Sequence, residues 1–141
     1  MFSLSKEPVN GQKRTMADPA AGAYVCFEGW VRNHNEGKAV TSLEYEAYEM
    51  LAQKEGNKIL GEAREKFDIL EAACIHRTGH LQVGEIAVWV GVTAKHREAA
   101  FEACRYVIDE VKARVPIWKK EHYSDGDSGW VRCEQCSGHH H

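Results

Sequence analysis

No apolar run in this chain approaches the roughly 18 residues that a bilayer-crossing helix needs. No membrane role is therefore expected. Residues 1–21 lack the apolar centre of a secretory signal. Proline is scarce, at three residues, and Pro8 and Pro19 both fall in this polar stretch together with Gly11. Residues 1–21 therefore read as a flexible N-terminal arm whose order depends on docking. Positive charge is not in surplus: 18 Lys and Arg stand against 21 Asp and Glu, for a formal net charge of -3. The chain has neither a basic face nor an aromatic-basic ribbon of the kind single-strand binders use, so nucleic acid is not an expected partner. Internal repeats and low-complexity blocks are also missing.

The cysteines number five, an odd count. Cys26 and Cys74 fall in expected strands and Cys104 in an expected helix. They read as buried free thiols in a reducing compartment, which places the chain in the cytoplasm. Cys133-Glu-Gln-Cys136 is the one metal-like spacing, and a structural zinc site would need two further ligands. The nearest histidines, His139 to His141 after Ser-Gly, resemble the start of an affinity tag and are set aside. Residues 132–141 are taken as a tail, and no metal is expected.

What is present is the pattern of one mixed domain, placed at residues 22–131. Ala23 to Arg32 alternates with period two, as a strand does. Residues 33–38 are polar and turn-like, and Ala39 to Tyr45 resumes as a strand, so the two strands are expected to form a hairpin. Tyr48, Leu51, Ile59, Ala63 and Phe67 fall at helical spacing, with Gly56 weakening the middle by roughly 1 kcal/mol relative to alanine. Leu70 to Arg77 and Glu85 to Thr93 read as strands, with His80 to Gly84 as a connection. A second helix is expected from Lys95 to Arg114, with Ala100, Ala103, Val107 and Val111 as its buried stripe and Thr93 as its cap. Pro116 ends it by forcing Val115 out of helical angles. A last short strand covers Trp130 to Glu134. The fold expected is α+β: a mixed, mainly antiparallel sheet with two main helices packed on it.

Three groups of residues have chemical potential. Lys112, Lys119 and Lys120 surround the proline-forced exit from the second helix. A lysine in a helix's last turn is commonly a solvated partner of the macrodipole. Lys119 and Lys120 differ because they follow the stiff Pro116-Ile117-Trp118 segment, which gives an aimed side chain a fixed origin. A lysine sheds its proton readily when buried, which suits acid–base or nucleophilic work. His96 and Arg97 open the second helix, where free N–H groups favour an anion. Arg32 stands where a strand becomes a loop. Arg97 and Lys112 are 15 residues apart on one helix, roughly 22 Å at 1.5 Å per residue. Serving one small ligand would therefore require two copies of the chain, and a homodimer with sites across the boundary is expected.

These pieces resemble the large, catalytic subunit of molybdopterin synthase. The resemblance is carried by Phe27-Glu28-Gly29-Trp30-Val31-Arg32-Asn33-His34-Asn35, Leu43-Glu44-Tyr45-Glu46-Ala47-Tyr48, Ile75-His76-Arg77-Thr78-Gly79 and Gly84-Glu85. Ala94-Lys95-His96-Arg97-Glu98-Ala99-Ala100-Phe101 and Lys112 through Glu121 carry it further. The resemblance implies an α/β hammerhead-like fold and a sulfurtransferase that turns cyclic pyranopterin monophosphate (precursor Z) into molybdopterin by building its dithiolene, within molybdenum cofactor biosynthesis. It implies a small ubiquitin-like partner whose C-terminal glycine thiocarboxylate supplies sulfur, and a heterotetramer with a central homodimer of the large chain. Lys119 and Lys112 match the family's essential lysines. Arg32, His96 and Arg97 match substrate contacts, and Trp30, Val31, Lys120 and Glu121 complete the binding stretches. Phe27 matches a position near the partner-tail channel. No cofactor is implied. A non-catalytic module that binds a nucleotide or RNA loop, and an adaptor that binds only the ubiquitin-like tail, stay open beside the enzyme reading.

Overall fold

The computed structural model describes residues 1–10, 16–124, 126 and 128–132. The Cys133/Cys136 pair and His139 to His141 lie outside the described residues. The chain runs β1 (Phe2–Ser5), β2 (Ala23–Trp30), β3 (His34–Asn35), β4 (Lys38–Ala47), α1 (Glu49–Lys66), β5 (Glu71–Arg77), β6 (Gly79–Gln82), β7 (Ile86–Ala94), α2 (Arg97–Arg114), β8 (Ile117–Tyr123) and β9 (Ser128–Arg132). The α+β class with a mainly antiparallel sheet and two packed helices stands. The strands, however, form two sheets rather than one: a four-stranded sheet ordered β1-β5-β7-β2, and a second ordered β3-β4-β8-β9 with β6 also paired to β4.

Both helices lie on the four-stranded sheet. α2 buries Ala100, Ala103, Cys104, Val107, Ile108 and Val111, and α1 buries Ala52, Gly56, Ile59, Leu60 and Ala63. These positions recur at steps of three and four, so each helix turns one stripe inward. The stripes meet Val88, Val90 and Val92 of the central strand β7 in one core. Ile59 is fully buried there, and truncating it to alanine costs about 2–5 kcal/mol. A smaller core of Val31, Leu43, Leu81 and Ala87 lies under the second sheet.

The expected loose arm is corrected at its start. β1 pairs in parallel with β5, placing Phe2 opposite Cys74, and the Phe2 side chain is buried. Its backbone N–H donates to Asn57 Oδ1 at 2.9 Å. The Phe2 ring occupies the space beside Gly56 where a Cβ would stand. The helix-weakening glycine is thus the seat of the first strand. Arg77 anchors the segment further, with Nη1 on Glu85 Oε1 at 3.0 Å and Nη2 donating to the Lys6 carbonyl at 3.3 Å.

The expected hairpin is also corrected. β2 pairs along its length with β7, not with β4. The hairpin is the short β3–β4 unit, turned by Glu36 and Gly37 with φ of 51° and 82°. Two successive positive φ values match the twist of an antiparallel pair. Thr93 does not cap α2: its hydroxyl donates to Glu71 Oε1 at 2.9 Å, and His96 holds the cap position without a side-chain bond. At the other end of α2, Val115 takes φ -75° and ψ 128°, the extended geometry a following proline imposes. The chain then enters β8, which pairs with β4 over Ile117 to Tyr123. Cys74 and Cys104 are buried as expected, but Cys26 is exposed.

Candidate active site

Pro116 sends the chain from the last turn of α2 directly into β8, so Lys112 and Lys119 arrive at the same cleft from different elements. The cleft has a volume of about 70 Å³ and is walled by Tyr45, His76, Val111, Val115 and Ile117, with Gly29 and Trp30 at its edge. Trp30 is exposed, and its indole N–H donates to Glu28 Oε1 at 3.0 Å. The cleft is far smaller than the roughly 300–1,000 Å³ of ordinary small-molecule sites.

Alternation along β8 decides which residues join Lys119. Its register partner on β4 is Tyr45, and Glu121 pairs with Leu43, so Lys119 and Glu121 share the inner face. Lys119 Nζ lies 3.4 Å from Glu121 Oε2, with both side chains largely buried. Glu121 Oε1 also accepts from Asn35 Nδ2 at 2.9 Å and from the Tyr123 hydroxyl at 2.7 Å. Burial alone would raise the Glu121 carboxyl, but the bonds from Tyr123 and Asn35 and the Lys119 ammonium hold it below the usual carboxylate range. Asn35 Oδ1 in turn accepts from Arg32 Nη2 at 3.5 Å. A chain of contacts therefore links Arg32 at the surface to Lys119 in the cleft.

His76 forms the floor. It is buried, its Nδ1–H donates to the Arg77 carbonyl at 2.8 Å, and its ring meets Tyr45 edge-on at 4.8 Å. Burial, aided by the Lys112 ammonium, pushes its pKa down to about 4, against the opposing pull of the Arg77 carbonyl. At neutral pH the ring is uncharged, with the acceptor lone pair on Nε2. Neither His76 nor Tyr45 was singled out from the sequence as a site residue. The tell-tale signal was a histidine inside an apolar strand.

The other expected residues divide. Lys120 points to the opposite face of β8 from Lys119, facing Glu44, with its ammonium 5.7 Å from the centre of the Trp130 ring. It does not enter the cleft. Val31 is buried in the smaller core, its N–H donates to the Glu85 carbonyl at 3.0 Å and its own carbonyl accepts from Gly84 N–H at 2.9 Å. With side chain and backbone both engaged, Val31 orients Arg32 and offers a ligand nothing. Phe27 lines a separate groove of about 370 Å³ with Phe101, Cys104 and Arg105. Ile108 borders both spaces. His96 and Arg97 are exposed at the far end of α2 from Lys112. Within one chain they do not join the cleft.

A helix end and a strand that each deliver an ammonium to one narrow cleft, with a guanidinium linked to it through Asn35 and Glu121, define an anion-handling α+β enzyme. Residues 4–114 match the family model described as MoaE protein, and the chain belongs to that family. It is 47% identical over 112 residues to the molybdopterin synthase catalytic subunit of Thermoplasma volcanium, an overlap covering 79% of this chain and 82% of that protein. The crystal structure of molybdopterin synthase from Staphylococcus aureus superposes with a TM-score of 0.87 at 38% identity, covering 92% of this chain and 96% of that one. A chain from the complex of subunits 1 and 2 of the molybdopterin-converting factor of Helicobacter pylori shares the fold, with a TM-score of 0.75 at 19% identity over 93% of this chain and 90% of that one.

Proposed function

We propose that this chain is the catalytic subunit of a cytoplasmic molybdopterin synthase, a sulfurtransferase that converts precursor Z into molybdopterin. Sulfur comes from the C-terminal glycine thiocarboxylate of a small ubiquitin-like partner. The observation that carries this reading is the convergence of Lys112 and Lys119 on a cleft too small for the pterin but wide enough for an extended glycyl end. The groove past Phe27 and Ile108 is the approach path of that tail, and a glycine end is the chain terminus that fits such a passage without a side chain to clash.

Lys119 works at the thiocarboxylate. Its ammonium stabilises negative charge that develops on the acyl oxygen, and Glu121 fixes its position. When sulfur leaves the partner, water closes the acyl carbon as a carboxylate, so no electrons need to be supplied. Lys112 handles the proton and the opening of the substrate's cyclic phosphate. Arg32 holds the phosphate by charge-assisted hydrogen bonds. His96 and Arg97 do the same from the second protomer of a homodimer, which resolves their distance from Lys112 within one chain. With one small subunit at each end, the assembly is a heterotetramer; the chain of like fold from Helicobacter pylori comes from a complex of subunits 1 and 2.

Incubating the purified chain with thiocarboxylated partner and precursor Z tests the reading. Formation of molybdopterin is the expected result. Binding of the partner's tail with no conversion of the pterin would leave only an adaptor, and would overturn the proposal.

A further inference from the structure

On the face of the second sheet turned away from Lys119, three potential metal-ligating side chains come together from three adjacent strands. Glu44 of β4 is the register partner of His80 on β6, so their side chains stand on the same face. His122 of β8 pairs with Ser42, two residues from Glu44 and therefore on that face as well. One ligand atom from each of the three lies within 4.8 Å of the others. Glu44 Oε1 is 2.8 Å from His122 Nε2, and the two imidazole centres are 6.1 Å apart. Gln82 Nε2 sits 3.2 Å from His80 Nε2.

We propose that Glu44, His80 and His122 form a site for one divalent transition-metal ion of the zinc class, separate from the catalytic cleft. Two imidazoles and a carboxylate are the donor set that borderline ions such as zinc favour, whereas magnesium and calcium demand more oxygen ligands. Zinc bound at about 2.0–2.2 Å by three such groups sets its ligand atoms roughly 3.4 Å apart. Rotation of the exposed His80 shortens separations of up to 4.8 Å, and the 2.8 Å Glu44–His122 contact opens by a few tenths of an ångström. The strand register fixes the three Cα positions side by side. His80 is exposed, which leaves the fourth position to water. On binding, His122 gives its Nε2 lone pair to the ion with the ring proton held on Nδ1, while Glu44 exchanges a hydrogen bond for a metal–oxygen bond. The ion ties β6, β4 and β8 together and so stiffens the strand that carries Lys119 and Glu121. Lys120 also faces Glu44. Its position over Trp130 keeps it on the side away from β6.

The test uses the full chain with Cys133 and Cys136 changed to serine and His139 to His141 changed to alanine, so that the tail cannot compete. Zinc is titrated against a chromophoric chelator while the histidine ring signals are followed by NMR. The expected result is one zinc per chain, with the His80 and His122 signals shifting together and saturating at one equivalent. H80Q and H122Q should each weaken the dissociation constant by about tenfold or more. Zinc should also raise the melting temperature of the parent and leave that of H122Q unchanged. Absence of zinc binding at 100 μM overturns the proposal. So does zinc uptake with both ring signals unmoved, or equal affinity in the parent and H80Q.

Discussion

Acidification should loosen this protein in part through His76. In the unfolded chain its ring titrates near 6.5, and in the folded chain burial and the Lys112 ammonium lower that to about 4. Between those values the unfolded chain binds a proton at this position and the folded chain does not. Stability therefore rises with pH across the window, is complete above about 6.5, and is lost as pH falls towards 4. Taking the medium from pH 7.5 to 5.0 should remove roughly 2 kcal/mol, out of about 3 for the whole window. The carboxylates that are held low, Glu44, Glu62, Glu85 and Glu121, start from a reference value of 4.5, so their main losses fall below this range. The assay is urea unfolding followed by tryptophan fluorescence at several pH values, for the parent and for His76→Gln. Glutamine can still donate to the Arg77 carbonyl but has no proton to gain. The parent should lose about 2 kcal/mol more than the variant between pH 7.5 and 5.0. Parallel losses in the two proteins would refute the assignment of a buried, neutral His76.

Other perturbations probe the packing and the site. Gly56→Ala gains about 1 kcal/mol of helix propensity but drives a methyl group into the Phe2 ring. Overpacking of about 1–3 kcal/mol should win, giving net destabilisation in urea unfolding; a variant stabilised by the full propensity gain would show that Phe2 is not seated there. Glu121→Gln keeps the acceptor for Asn35 and Tyr123 but removes the charge that holds Lys119. Turnover should fall about 10–100-fold with partner affinity unchanged, and unchanged turnover would remove Glu121 from the mechanism. His96→Ala and Lys112→Ala chains, each inactive alone, should regain roughly a quarter of normal activity after random subunit mixing, because half the dimers hold one intact site. Failure to complement would argue against a site shared between protomers.

Much of this architecture was legible where a pattern is local. The period of two read over Ala23 to Arg32 and Glu85 to Thr93, and the stripe through Ala100, Ala103, Val107 and Val111, located β2, β7 and α2 to within two residues at the strand ends. Pairing was not legible, because β2 chooses β7 over β4 through contacts far apart in sequence. β1 and β6 are four residues each, too short for alternation to register. β8 reads as a charged segment, and only its ladder with β4 makes it a strand. That last gap had a consequence at the site. Lys119 and Lys120 look equivalent in sequence, yet strand alternation sends one into the cleft and the other to the opposite face. The proline-flanked lysines were recognisable because Pro116 constrains the backbone locally. His76 and Tyr45 were not, since their role comes from walls that meet only in three dimensions.

The central claim is that Lys119 acts on the partner's terminal acyl group within the cleft. Molybdopterin produced per minute by Lys119→Ala, with thiocarboxylated partner and precursor Z in excess, tests it most directly. Product formation should fall at least about 100-fold, while the partner still binds with the affinity seen for the unmodified chain. Turnover within a few-fold of normal would contradict the account.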